Sequence, residues 1–246
     1  MAKKRSKKIR KASKTKVPKK IEKEIRIPSG IQGLDKLIGG GFIPTDTYLI
    51  TGGTGTGKTL FCCQFLWEGL NSGEKCVYFT LEETPEDILK DAEEFGWDFK
   101  KYMRENKFII EYQDPFELVD VSSMIKSRIK QFGAKRVVID STAVFGMIFK
   151  DRHELRKRLY ELIKMLKETD AVILMTTEIT EDTKALSRFG VEEFVVDGII
   201  MLNYLEYGAG GGSPRSLIIR KMRRTDHGND VYSLKITKRG LEVSKV

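Results

Sequence analysis

Residues 52–59 read Gly52-Gly53-Thr54-Gly55-Thr56-Gly57-Lys58-Thr59, which fits the pattern G-x-x-x-x-G-K-[ST] without a mismatch. Glycines at these places let successive backbone N–H groups converge, and a helix N-terminus behind them favours anions. The chemistry implied is the cradling of a nucleotide's phosphates. Lys58 would reach the β- and γ-phosphates, the Thr59 hydroxyl would ligate Mg²⁺, and Leu60 opens the apolar helix that follows. A second polar group, Asp140, ends the run Arg136-Val137-Val138-Ile139 and is followed by Ser141. A carboxylate emerging from a buried strand at that rim would hold Mg²⁺ through water. Glu82 and Glu83 follow the run Cys76–Leu81 and precede Thr84-Pro85. One of them, with Glu82 favoured, could polarise the water that attacks the γ-phosphate while the other supports it. Spacing alone leaves open that Glu83 and Glu86 instead decorate a helix N-terminus.

These groups need strands that end at one rim. Short continuous apolar runs occur at Tyr48-Leu49-Ile50, Val77-Tyr78-Phe79, Phe108-Ile109-Ile110, Val137-Val138-Ile139 and 171–175. Runs apolar at successive positions suit strands buried on both faces, as in a parallel sheet. Between them, residues 153–168 place Leu155, Leu159, Leu162, Ile163 and Leu166 on one helical face. Residues 85–95 start with a proline in the first turn and acids at the dipole's positive end. The alternation predicts an α/β protein with a mostly parallel central sheet flanked by helices. Past about residue 194 the helical pattern stops, and segments 194–203, 215–222 and 231–237 predict C-terminal antiparallel strands. The glycine-rich stretch 208–213 predicts a flexible hairpin tip. With no internal repeat, the expected organisation is a basic tail, 1–24, and one domain, 25–246.

Composition narrows the class. Forty per cent apolar and 32% charged residues in 246 describe a soluble globular chain. No apolar run approaches the roughly 18–20 residues of a membrane-spanning helix, and no apolar segment backs the charged N-terminus as in a secretory signal. Cys62, Cys63 and Cys76 with His153 and His227 have the spacing of neither a disulfide framework nor a zinc site. A cytoplasmic protein without a membrane partner is expected. Of the net charge of +9, eleven Lys and Arg lie in residues 1–20 with no acid, which leaves 33 basic against 35 acidic groups in the rest. A like-charged block of this kind is expected to be disordered. It would serve as an electrostatic arm for nucleic acid, or only as a solubilising tail. The guanine-reading N-K-x-D pattern is missing, since Asn106-Lys107-Phe108-Ile109 lacks the aspartate, so ATP is favoured over GTP.

The motifs together resemble the KaiC/RecA superfamily of ATPase domains. The segment 29–41, the phosphate loop, Leu81–Pro85, Phe95-Gly96-Trp97, Val138–Ser141, Met175–Glu178, Gly190–Val195 and Lys221–His227 follow the family's order. The resemblance covers about residues 25–246 and is to a single KaiC domain. It implies a RecA-like fold and a homo-oligomeric ring, usually hexameric, with ATP between subunits. It also implies that Glu82 and Glu83 are the catalytic glutamates, that Asp140 is the Walker B aspartate, and that Thr176–Glu178 sense the γ-phosphate. Lys221, Arg223, Thr225 and His227 would reach the nucleotide of the neighbouring subunit. Bottom-up, the same residues read only as a charged edge strand and a turn. The family usually has glycine where this chain has Arg224, which bears on the local backbone because glycine tolerates positive φ and arginine does so reluctantly. Three functions compete: an ATPase driving a regulatory or signalling state, a recombinase-like DNA-binding ATPase using the tail and the loop Lys184–Arg188, and a nucleotide-binding regulator with negligible turnover.

Overall fold

A helical turn, α1 (Leu34–Leu37), precedes the central strand β1 (Thr47–Gly52), whose six residues are all buried. There follow α2 (Lys58–Asn71), β2 (Cys76–Thr80), α3 (Pro85–Glu93), α4 (Phe99–Arg104) and β3 (Phe108–Tyr112). Next come α5 (Val121–Phe132), β4 (Arg136–Asp140), a 3₁₀ turn (Thr142–Val144), α6 (Phe145–Ile148), α7 (Arg152–Leu166) and β5 (Val172–Glu178). The C-terminal part is α8 (Glu192–Val195), β6 (Gly198–Tyr204), β7 (Arg215–Met222), β8 (Val231–Thr237) and β9 (Gly240–Lys245). This computed structural model describes residues 25–113, 121–179, 185–205 and 214–246. The basic tail, the glycine-rich stretch 208–213 and Lys184 lie outside the described residues.

The strands form one sheet in the order β3-β2-β4-β5-β1-β6-β7-β8-β9. The first six in the sequence are parallel, and β7, β8 and β9 turn back antiparallel. The predicted parallel core and antiparallel C-terminus are thus both present. Helix starts follow side-chain capping. Thr84 accepts from the Asp87 N–H ahead of α3 with Pro85 in its first turn, and Asp151 accepts from the His153 N–H ahead of α7. One face of the sheet packs on α2, α3 and α4 through Phe61, Phe65, Tyr78 and Trp97. The other packs on α5 and α7 through Ile125, Leu155, Leu162 and Val137.

Two C-terminal expectations need correction. Residues 194–203 are not one strand, because Phe194 and Val195 belong to the turn α8 and the strand starts at Gly198. Glu192 pulls that turn inward, accepting from the Ser187 hydroxyl (2.7 Å) and the Val191 N–H (3.2 Å), and the Lys221 ammonium satisfies its last carbonyls. The strand β9 is an addition, with Leu241 and Val243 buried and Glu242 between them more open.

Arg136 is the largest fully buried side chain. It bridges Glu74 at 2.5 Å, the carbonyls of Pro28 and Phe65 at 2.8 Å each, and the Phe65 ring at 4.7 Å. It thereby ties the N-terminal segment and α2 to the start of β4. Arg136→Met should leave Glu74 and two carbonyls without their partner and cost about 3 kcal/mol. In a domain of this size that corresponds to a fall in Tm of roughly 6–12 °C, measurable by calorimetry.

Candidate functional site

The phosphate loop joins the carboxyl end of β1 to α2. Gly52 closes β1 against β6 so tightly that a Cβ there would lie 2.3 Å from the Leu202 carbonyl oxygen. Gly57 caps α2 at φ +103°, with no side chain to occupy the first-turn N–H groups, which stay directed at an anion. Lys58 Nζ folds over its own loop, donating to the Gly52 and Gly53 carbonyls at 3.1 and 2.9 Å, and Thr56 Oγ1 donates to the Gly53 carbonyl at 2.9 Å. The loop borders a cleft of about 290 Å³ lined by Thr54, Gly55, Lys58, Thr59 and Leu60 on one side. Glu82, Glu83, Asp91, Asp140 and Glu178 line the other.

Asp140, at the end of β4, organises this rim. Its Oδ2 accepts from the Thr59 hydroxyl (3.1 Å) and the Tyr78 hydroxyl (2.6 Å), and its Oδ1 accepts from the Thr176 hydroxyl. Burial, and then the Asp140 charge, push the Tyr78 phenol well above its usual value, which keeps it a donor. The Thr59 and Asp140 oxygens fit a hard cation such as Mg²⁺, which takes few protein ligands and completes its shell with phosphate and water. Ser141 donates to Glu82 Oε1 at 2.7 Å and so orients that carboxylate. Glu83 is pushed above the ordinary carboxylate value by partial burial and then by Asp140, Asp91 and Glu82. Both glutamates therefore reach the cleft.

The C-terminal cations lie elsewhere. In the sheet register Gly52 of β1 faces Leu202 of β6, whereas Met222 of β7 faces Gly198, four residues back. At roughly 3.3 Å per residue the end of β7 is about 13 Å along the strands from the phosphate loop, at the opposite rim. Met222 is buried with the α2 layer while Lys221 and Arg223 emerge on the other face, as their alternation requires. Lys221 Nζ donates to the Glu193 and Val196 carbonyls at 2.9 and 2.7 Å. Partial burial, then Arg223, pull its pKa below the ordinary lysine value. Thr225 Oγ1 accepts from Arg26 at 2.8 Å, and His227 Nδ1 sits 3.0 Å from the Gly228 carbonyl. Arg224 does adopt the left-handed conformation, with φ +57°.

Sequence reasoning missed Tyr78, Asp91, Tyr204 and Arg215. The Tyr204 hydroxyl (2.7 Å) and two Arg215 nitrogens (both 3.1 Å) converge on the Gly55 carbonyl, with the guanidinium over the Tyr204 ring. None of these four lies in the motifs or beside them; only β-strand alternation puts Tyr78 on the face of Thr80, which also lines the cleft. Arg188, from the loop thought to face nucleic acid, pairs instead with Glu178 of the cleft at 3.5 Å.

A strand, a glycine-rich loop with lysine and threonine, a helix and a neighbouring strand-end aspartate define a RecA-like P-loop nucleotide-binding protein. The comparisons are more specific. A family model described as "ATPase: KaiC" matches residues 27–246, and the chain belongs to that family. It is 38% identical over 227 residues to the circadian clock oscillator protein KaiC of Prochlorococcus marinus, covering 85% of this chain and 44% of that one. It therefore spans less than half the length of that relative. A UPF0273 protein of Methanopyrus kandleri is 34% identical over 236 residues, covering 89% of this chain and 91% of the relative. The crystal structure of a KaiC-like protein from Pyrococcus horikoshii superposes with a TM-score of 0.81 at 38% identity, covering 90% of this chain and all of that one.

Glu82→Gln keeps an oxygen for Ser141 while removing the charge. It should leave ATP affinity within a few-fold and slow hydrolysis by about 10²–10⁴-fold, read by single-turnover assay. Hydrolysis near the wild-type rate would pass the role to Glu83.

Proposed function

We propose that the chain is a Mg²⁺-dependent ATP hydrolase acting at the subunit interfaces of a homo-oligomeric ring, hexameric as the family resemblance implies, with a signalling or regulatory output. The observation that supports it is the charge imbalance of the cleft. Its lining holds five carboxylates, Glu82, Glu83, Asp91, Asp140 and Glu178, against one cation, Lys58. Phosphoryl transfer develops negative charge that needs a cation beyond the γ-phosphate. This subunit's Arg223 lies at the far rim and is half-exposed. A head-to-tail contact would bring it to a neighbour's cleft, and heterologous contacts of that kind close into rings.

In this reading the loop N–H groups and Lys58 bind the phosphates, and Thr59 and Asp140 hold Mg²⁺, which would neutralise phosphate charge when bound. Glu82, aligned by Ser141, accepts the proton of the attacking water or orients that water. Arg223 of one subunit then stabilises charge on the γ-phosphate held by the next, with Lys221, Thr225 and His227 beside it. Against the nucleic-acid alternative, Arg188 of the loop it would use turns to Glu178 at 3.5 Å.

Arg223→Ala should bind ATP only modestly more weakly and lose about 10³–10⁵-fold in turnover. Mixing it with Glu82→Gln should restore part of the activity, because some mixed interfaces join the two intact halves. Subunit exchange is verified separately by native mass spectrometry. Exchange without recovery, or full turnover by a strict monomer, would refute the shared site.

A further inference from the structure

The turn after β7 carries two consecutive arginines, and each meets a buried carboxylate. Asp46, just before β1, and Asp197, just before β6, are both buried at the rim opposite the phosphate loop. Asp197 accepts from Lys167 Nζ (2.8 Å), the Thr47 N–H (3.1 Å) and Arg223 Nη1 (3.3 Å). Asp46 accepts from Arg224 Nη2 and, at 3.4 Å, from the Tyr48 hydroxyl. Lys221 lies near Asp197 with its ammonium given to the Glu193 and Val196 carbonyls, and Arg26 approaches from the N-terminal segment to reach Thr225.

Two buried carboxylates are thus bonded by three cations, Lys167, Arg223 and Arg224. Stripping a buried carboxylate of its partner is strongly unfavourable. Lys167 and Arg224 already match Asp197 and Asp46 one to one. Arg223, bound through the longest of the three ionic contacts, can leave without baring a charge. If Arg224 were missing, Asp46 would lose its ionic partner, and the acid pair would hold Arg223 more tightly in its own subunit.

We infer that Arg224 is a positioning residue: it supplies the counter-charge for Asp46 and so frees Arg223 to be handed to a neighbouring copy's triphosphate. This rests on the shared-site reading above. Arg224 touches no reacting atom; it acts through the acid pair. The Asp46 carboxyl is raised by burial and then by Asp197, and lowered by Arg224 and Lys167. Losing Arg224 raises it further, so falling pH protonates Asp46 and removes the second charge that retains Arg223.

The test is steady-state ATP hydrolysis with saturating Mg²⁺, at a series of pH values. Glycine suits the φ of +57° at this turn, so Arg224→Gly does not strain the backbone. It should lower kcat roughly tenfold with little change in KM, and the deficit should narrow as pH falls. Arg224→Lys should recover most of the rate, as should Asp46→Asn added to Arg224→Gly, since both restore the charge match. Circular dichroism confirms that each variant is folded. A wild-type kcat in Arg224→Gly, a pH-independent deficit, or no recovery in either rescue variant overturns the inference. Arg223→Ala separates the two levels. If it loses turnover while Arg224→Gly does not, this inference fails alone, whereas if it retains full turnover the shared-site reading fails and this one with it.

Discussion

Strand polarity is the constraint from which the rest of this molecule follows. Six parallel strands deliver their carboxyl ends to one rim, so Gly52 of β1, Thr80 of β2, Asp140 of β4 and Glu178 of β5 meet although they are far apart in the chain. Parallel order requires crossovers, and the helices that make them bury both faces of the sheet. The rim stays open to solvent at Glu82, Glu83 and Asp91, with Lys58 and the helix N-terminus beside a group of carboxylates. The reversal at β7 breaks the pattern once and sends Lys221 and Arg223 to the opposite rim. One sheet therefore presents an acidic phosphate-binding end and a cationic end, which is the asymmetry a head-to-tail contact requires.

Buried charge marks where the chain is pinned to that sheet. Arg136 joins the first strand-free segment and α2 to β4, Asp197 joins α7 and the turn after β7 to β1, and Glu192 folds α8 against Thr177 and Ser187. Each carries a charge in a poorly solvated place, where an unmatched group is costly and a matched one fixes geometry. Hydrophobic burial gives the layers their cohesion, but it is not directional. These polar anchors decide which end of the sheet each connecting segment faces.

Legibility followed the range of the signal. The phosphate loop was read residue by residue because its chemistry is local, with strand, glycines, lysine and helix contiguous in the chain. Asp140 was read because a lone acid after three apolar residues must emerge from a buried strand. The turn α8 was misread as strand because Phe194, Val195 and Val196 are apolar and β-prone. What makes it helical is Glu192 turned inward and Lys221, 28 residues after Glu193, which no window of sequence contains. Tyr78, Tyr204 and Arg215 were invisible for the same reason, since each acts on a residue of a different strand or loop. The role proposed for Lys221, Arg223, Thr225 and His227 rests on family resemblance, because by residue type alone they are a charged strand end.

The β6–β7 pair links the two rims directly. At one end, Tyr204 and Arg215 hold the Gly55 carbonyl, fixing the crest of the phosphate loop. At the other, the Arg223 N–H donates to the Asp197 carbonyl and the Arg223 side chain rests on the Asp197 carboxylate. The antiparallel ladder of β6 and β7, interrupted by one register shift between Ile199 and Ile200, resists sliding, because a one-residue slip would turn every side chain to the wrong face. The separation of the phosphate loop from the Arg223 guanidinium within the subunit is therefore set by the length of this strand pair. Lys58 rests on its own loop carbonyls at one end, and Arg223 rests on the Asp197 carboxylate at the other.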